Sequence, residues 1–190
     1  MQLDPARTAV VVVDMQNGFC HPDGSLYAPG SEAVIDPIAD LVERGREAGT
    51  RLVFTRDVHP PEQFEDAHYY DEFDQWGEHV LEGSWEAEVV EELPVDAADT
   101  VVEKHTYDAF FETELAGWLS ARGIRDLVIC GTLANVCVLH TGGTAALYDF
   151  RPILVDDCIG ALEDDHKTYA LEHAEWLFGE VVSSDELGFA

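Results

Sequence analysis

Three side chains of different chemical type, Asp14, Lys104 and Cys137, each end an apolar, β-branched run or follow one by a short link. Cys137 comes after the run VICG and the link TLANV, where a helix is expected to open. A thiol at the positive end of a helix is drawn toward its thiolate form, and the open amides there can receive a developing oxyanion. Attack of such a thiolate on an amide carbon needs a base that takes the thiol proton and later hands it to the leaving amine. Asp14, directly after TAVVVV, supplies a carboxylate for that task. Lys104, the last residue of TVVEK, supplies a cation to hold the carboxylate and stabilise the thiolate. Cys130 and Cys158, inside apolar stretches, read as small buried residues.

A second group lies between the first two of these. In RDVH, Asp57 and His59 are alternate residues of an extended segment and point to the same side, and His79 of WGEH follows twenty residues on. One carboxylate and two imidazoles make an open divalent-metal site. Glu65 and His68 are further candidate ligands in the same acidic stretch. Phe19 and Trp76 offer aromatic faces that can sandwich a flat ring beside the nucleophile.

These residues need elements that bring them to one place. Strand-like runs occupy 8–13, 51–55, 100–103, 126–130, 152–155 and 180–183, and helix-like stretches lie between most of them. One helix is expected from Ser31, as its cap, to Gly49, and others over 112–123, 137–148 and 164–178. This alternation predicts an α/β, three-layer Rossmann-like fold: a mostly parallel sheet of about six strands with helices on both faces. Ligands of such sheets sit at the carboxyl ends of the strands, where Asp14, Asp57, Lys104 and residues 131–137 all fall.

Composition narrows the function classes. The chain of 190 residues is 46% hydrophobic, which predicts one domain spanning 1–190. Its 39 acidic and 10 basic residues give a net charge of −29, which repels nucleic acid and anionic lipid. No apolar run reaches the roughly 20 residues that cross a bilayer. The four cysteines are not paired in CxxC spacing and no basic, apolar leader opens the chain, so a cytoplasmic location is expected. The acidic balance points to a halophilic source, an expectation that unchanged activity and stability in low salt would remove. Only two lysines stand against eight arginines, which makes the strand-end Lys104 conspicuous.

The segments AVVVVDMQNGF, TRDVHP, WGEH, VVEKHTYDAFFETEL and CGTLANVCVLHT together resemble the isochorismatase-like cysteine hydrolases, the superfamily that includes nicotinamidases. The resemblance spans nearly the whole chain. It implies an Asp14, Lys104, Cys137 catalytic triad, and a cis peptide between Thr132 and Leu133 that directs the amides of Leu133 and Cys137 at the oxyanion. It further implies a divalent metal, zinc in many nicotinamidases, on Asp57, His59 and His79, no organic cofactor, and a pyridine ring between Phe19 and Trp76. Nicotinamide as substrate would place the chain in NAD salvage. Self-association is expected from relatives that are often homo-oligomers. Two departures bear on the substrate: Ala134 stands where nicotinamidases commonly carry threonine, and the stretch between His59 and His79 matches them loosely. Other segments resemble relatives acting on N-carbamoyl compounds such as N-carbamoylsarcosine, or on ureidoacrylate.

Two readings of other classes compete. A dinucleotide-binding oxidoreductase would need a GxGxxG turn after the first strand, where this chain has DMQNGF. A noncatalytic binding protein on the same fold would have no use for the triad, so absence of hydrolysis across a panel of amides would favour it.

Overall fold

Unbroken valine-rich runs such as residues 9–13 suit strands covered on both faces, because neither side of the pleat then meets water. The computed structural model of the chain describes residues 1–65, 75–93 and 95–190. Its strands are β1 (Gln2–Leu3), β2 (Thr8–Val13), β3 (Arg51–Asp57), β4 (Thr100–Lys104), β5 (Asp126–Gly131), β6 (Arg151–Ile159), β7 (Glu180–Val182) and β8 (Gly188–Phe189). β2 to β7 form one sheet in the order β4-β3-β2-β5-β6-β7, and every neighbouring pair is parallel. The expected six-stranded α/β sheet is therefore present, and β1 pairs with β8 in a separate, parallel two-stranded sheet.

The helices are α1 (Asn17–Cys20), α2 (Pro29–Glu32), α3 (Ile35–Ala48), α4 (Glu62–Glu65), α5 (Leu115–Ala121), α6 (Leu139–Leu147) and α7 (Asp164–Leu177). Alternation along the strands divides the core in two. Val10, Val12, Leu52 and Phe54 pack with Ile38 and Leu41 of α3 on one face. Val11, Val13, Val53 and Ile129 pack with Leu115, Leu119, Ala145 and Ala174 of α5, α6 and α7 on the other. No helix among the described residues is long and apolar enough to cross a membrane.

One expected helix is corrected. The stretch from Ser31 to Gly49 is two helices, α2 and α3, separated at residues 33 and 34. Pro37 lacks an N–H and its ring would strike the carbonyl of residue 33 in a continuous helix, so a new helix starts late enough to hold Pro37 in its first turn. Ser31 is consequently no cap: it lies inside α2, fully buried, with its hydroxyl 2.5 Å from that of Thr132. The stop at Gly49 is as expected, in the left-handed conformation with φ 82°.

Strand register delivers the chemistry to one edge. Asp57 is paired with Lys104 across β3 and β4, and Val13 with Gly131 across β2 and β5. Asp14 and Thr132 are thus the first residues past two adjacent strand ends. Gly131, at φ 114°, is required there: a Cβ would sit 2.1 Å from the Val13 carbonyl oxygen, which accepts the Thr132 amide at 2.9 Å.

Candidate active site

Lys104 is the hub of the site. Its side chain is almost wholly buried, and the ammonium lies 2.7 Å from Asp14 Oδ2, 3.7 Å from Asp57 Oδ1 and 3.7 Å from Cys137 Sγ, while donating to the Thr106 carbonyl at 2.7 Å. The three residues expected to act together are therefore within one contact shell around a single cation. Burial disfavours charge on Lys104, but Asp14, Cys137 and Asp57 outweigh it and raise its pKa, so the side chain stays an ammonium.

Asp14 is fully buried. Burial pushes its carboxyl above the usual carboxylate range, against the pull of Lys104 and with the help of the neighbouring Asp57 charge. A raised carboxyl is a better proton acceptor, which is what a base for a thiol requires. Asp57 is held below its ordinary value, because Lys104, His59 and His79 together outweigh its burial.

Cys137 departs from the sequence expectation in one respect. It is not the opening residue of an α-helix but the fourth residue of a π-helical turn, Ala134–Val138, that leads into α6. Burial pushes its thiol well above the ordinary value, with Lys104 lowering it and hydrogen bonding to Asp14 raising it. Desolvation thus exceeds the pull of Lys104, and a thiol so raised calls for a base beside it. The peptide between Thr132 and Leu133 is cis. In this turn the amides of Thr132, Ala134, Val136 and Val138 bond to the carbonyls of Val13, Gly160 and Leu133. Those of Leu133 and Cys137 make no such bond to a described carbonyl outside the turn.

The second expected group also converges. Asp57, His59 and His79 are buried, and each offers a ligand atom within 4.8 Å of the others. The Nδ1 atoms of His59 and His79 face the acceptors Gln63 Oε1, at 3.0 Å, and Gly77 O, at 2.7 Å. Facing a carbonyl, Nδ1 of His79 carries the proton and leaves Nε2 the lone pair a metal would use, while Nε2 of His59 faces Asp57 Oδ2 at 3.4 Å. Asp57 Oδ1, also buried, accepts no hydrogen bond from a described residue. One carboxylate and two Nε2 donors fit a zinc-type ion with open positions. Of Glu65 only the backbone is described, and His68 lies outside the described residues with the rest of 66–74.

A cavity of about 300 Å3 opens onto Cys137 and is lined by Phe19, Leu26, Tyr27, Trp76, Tyr107, Leu133, Val136 and Leu162, with Asp57 and His79 at its edge. Phe19 and Trp76 thus border the same space, Phe19 buried and Trp76 44% exposed. No arginine or lysine lines the cavity. The residues outside the described set, 66–74 and 94, contain neither.

A family model described as the isochorismatase domain matches residues 8–186. This chain belongs to the isochorismatase domain family. Ureidoacrylate amidohydrolase of Azorhizobium caulinodans is 31% identical to it, over 92% of this chain and 86% of the relative. N-carbamoylsarcosine amidase of Thermoplasma acidophilum superposes with a TM-score of 0.80 at 32% identity, covering 94% of this chain and 97% of that structure. The pyrazinamidase of Pyrococcus horikoshii, solved in complex with zinc, superposes at 0.83 with 26% identity, covering 93% and 99%.

Several residues that shape the site of this isochorismatase-family chain escape a reading by residue type. Gln16 is fully buried, donates to the carbonyls of Asp57 and Ala87, and accepts the Asp57 amide at 2.8 Å. It clamps the backbone that carries the candidate metal ligand. Glu86 accepts from the amide and hydroxyl of Ser25 and from the amide of Val80, tying the cavity wall to the segment that presents His79. Tyr107 and Leu162 line the cavity from segments with no chemical signature. The sequence signals for Gln16 are its distance of two residues from Asp14 and its place in the segment AVVVVDMQNGF.

Proposed function

We propose that this chain is a cysteine amidohydrolase that converts a small, uncharged aromatic carboxamide, nicotinamide by shape and charge, to the acid and ammonia. The observation that carries the reading is a carboxylate and a thiol meeting one ammonium, with the thiol bordering an apolar cavity that has no arginine or lysine in its lining. The lining offers an anionic substrate no arginine or lysine to pair with, in a protein of net charge −29. A flat neutral ring suits the space between Phe19 and Trp76.

In the proposed reaction Asp14 takes the Cys137 proton, and the thiolate, stabilised by Lys104, attacks the carboxamide carbon. The oxyanion is received by the amides of Leu133 and Cys137. Asp14 returns the proton to the nitrogen as the C–N bond breaks, releasing ammonia and leaving a thioester. Water, deprotonated by Asp14, then attacks the thioester, and the acid leaves as Cys137 is reprotonated. Asp57, His59 and His79 would hold a divalent metal beside the cavity, where it would supply a Lewis acid to orient or polarise the substrate.

Ammonia release from nicotinamide in high-salt buffer tests the reading, and turnover is the expected result. A second reading is favoured by the identities of 31% and 32% with ureidoacrylate amidohydrolase and N-carbamoylsarcosine amidase. Turnover of ureidoacrylate or N-carbamoylsarcosine, with nicotinamide inert, would keep the triad and replace the substrate.

The metal site has its own test. The purified protein is expected to retain zinc by elemental analysis, and His79→Ala is expected to weaken zinc binding roughly tenfold or more in calorimetry. Equal affinity in the variant would remove His79 from the ligand set.

A further inference from the structure

Asp14 is placed by more than its strand. It has φ 49°, in the left-handed region that residues with a Cβ disfavour, immediately after β2. Its side chain is fully buried, so the rotamer cannot be corrected by water. What meets it from the neighbouring strand is a single hydroxyl. Thr55 Oγ1, on β3, accepts the Asp14 amide at 3.1 Å and donates to Asp14 Oδ1 at 2.6 Å. The other carboxylate oxygen, Oδ2, is the one that faces Lys104. Thr55 lies two residues before Asp57 in the same strand, so it shares a sheet face with the site, and it is 1% exposed.

Resting on the amidohydrolase reading above, we propose that Thr55 is a positioning residue: its hydroxyl fixes both the backbone turn and the carboxylate plane of Asp14, so that Oδ2 is held between Lys104 and the thiol. Thr55 does not line the cavity and touches no substrate; it acts through Asp14 alone. The hydroxyl is suited to this because it accepts from one atom of Asp14 and donates to another. Valine, of nearly the same shape and well accommodated in a strand, can do neither.

The test compares Thr55→Val and Thr55→Ser. T55V is expected to lower kcat about tenfold to a hundredfold, as a misplaced base does, with KM little changed because the cavity is untouched. T55S, which keeps the hydroxyl, is expected to restore kcat to within a few-fold of wild type. The same order is expected in a measurement that needs no amide substrate: alkylation of Cys137 by iodoacetamide at neutral pH, followed by site-resolved mass spectrometry, slows in T55V and recovers in T55S. A chain that hydrolyses no tested amide but gives this alkylation pattern would retain the Thr55 assignment and lose the substrate. Wild-type alkylation kinetics in a folded T55V would overturn the proposal. Failure of both T55V and Thr55→Ala to fold would also overturn it, by assigning the hydroxyl to the fold.

Discussion

Cys137→Ala is expected to lower amide turnover by at least about ten-thousandfold and to melt within a few degrees of the wild-type protein. The thiol is the cysteine sulfur that borders the cavity; Cys20, Cys130 and Cys158 are buried away from its lining. Without it, Asp14 and Lys104 retain their ion pair but have no nucleophile to activate, and water would have to attack an unactivated amide. The small stability change follows from the size of the deletion. Removing one sulfur from a position 7% exposed leaves a void of about one atom, worth about 1 kcal/mol. The variant should still bind substrate, since Phe19, Trp76 and the rest of the cavity are intact. Ammonia release, thermal melting and substrate titration of the inactive protein are the three measurements. A variant that folds and keeps a few per cent of the rate would end the nucleophile assignment, and covalent capture of substrate on the wild-type thiol would no longer be expected.

The residues that would carry this chemistry were legible because each stands where a period breaks. Six apolar runs of strand length are hard to mistake in a chain of this charge, and the end of a parallel strand is where a polar residue earns notice. Asp14 and Lys104 are such residues, Cys137 follows β5 by a short link, and the strand register of β2, β3, β4 and β5 brings their positions to one edge. The Asp57 and His59 pair was legible for a different reason, the two-residue repeat of extended chain. His79, twenty residues on, was the weaker member of that reading, since spacing alone does not say which of eight histidines folds back; the structure places it with the pair.

What escaped has physical causes of its own. The π-helical turn around Cys137 is anchored where the Ala134 amide bonds to the Gly160 carbonyl, a contact between segments that no local pattern encodes. The thiol's raised pKa comes from burial, which sequence spacing does not report, and it reverses the expectation drawn from the helix end. β1 and β8 are two residues each, too short to display a period. Ser31 looked like a cap because serine before an apolar run usually is one; here its hydroxyl meets Thr132 instead. Thr55 was hidden by the strand it belongs to, where a threonine between apolar neighbours is ordinary.

Lys104→Met is expected to cost about 3–5 kcal/mol of folding stability at pH 7.5, a large part of the roughly 5–15 kcal/mol available to a protein, and to abolish turnover. Methionine preserves most of the apolar stem, so the loss is electrostatic rather than a matter of packing. Without the ammonium, the buried carboxylates of Asp14 and Asp57 face each other with no cation 2.7 Å and 3.7 Å away. The sign of the pH dependence separates this from a cavity effect. In the wild-type protein Asp57 is held below its ordinary value, so it contributes stability above the unfolded pKa of about 3.9 that is lost as pH falls through the folded value. Removing Lys104 takes away the largest influence lowering Asp57 and the largest lowering Asp14, which burial already raises. Asp14, already raised by burial, then lies further above its unfolded value, and Asp57 loses the largest influence that holds it down. For a raised carboxyl the folded state binds the proton more tightly, so its penalty is present above the folded pKa and is relieved as pH falls toward the unfolded value. The stability gap between K104M and wild type should therefore narrow from pH 7.5 to pH 5, measured by urea denaturation with chelator present to remove metal from Asp57. Asp14→Asn in the K104M background should recover part of the loss at pH 7.5, because it deletes one of the two uncompensated charges. A gap that is constant with pH, and a double variant no more stable than K104M, would mean that Lys104 holds the site by its stem, leaving the thiolate without the cation assigned to it.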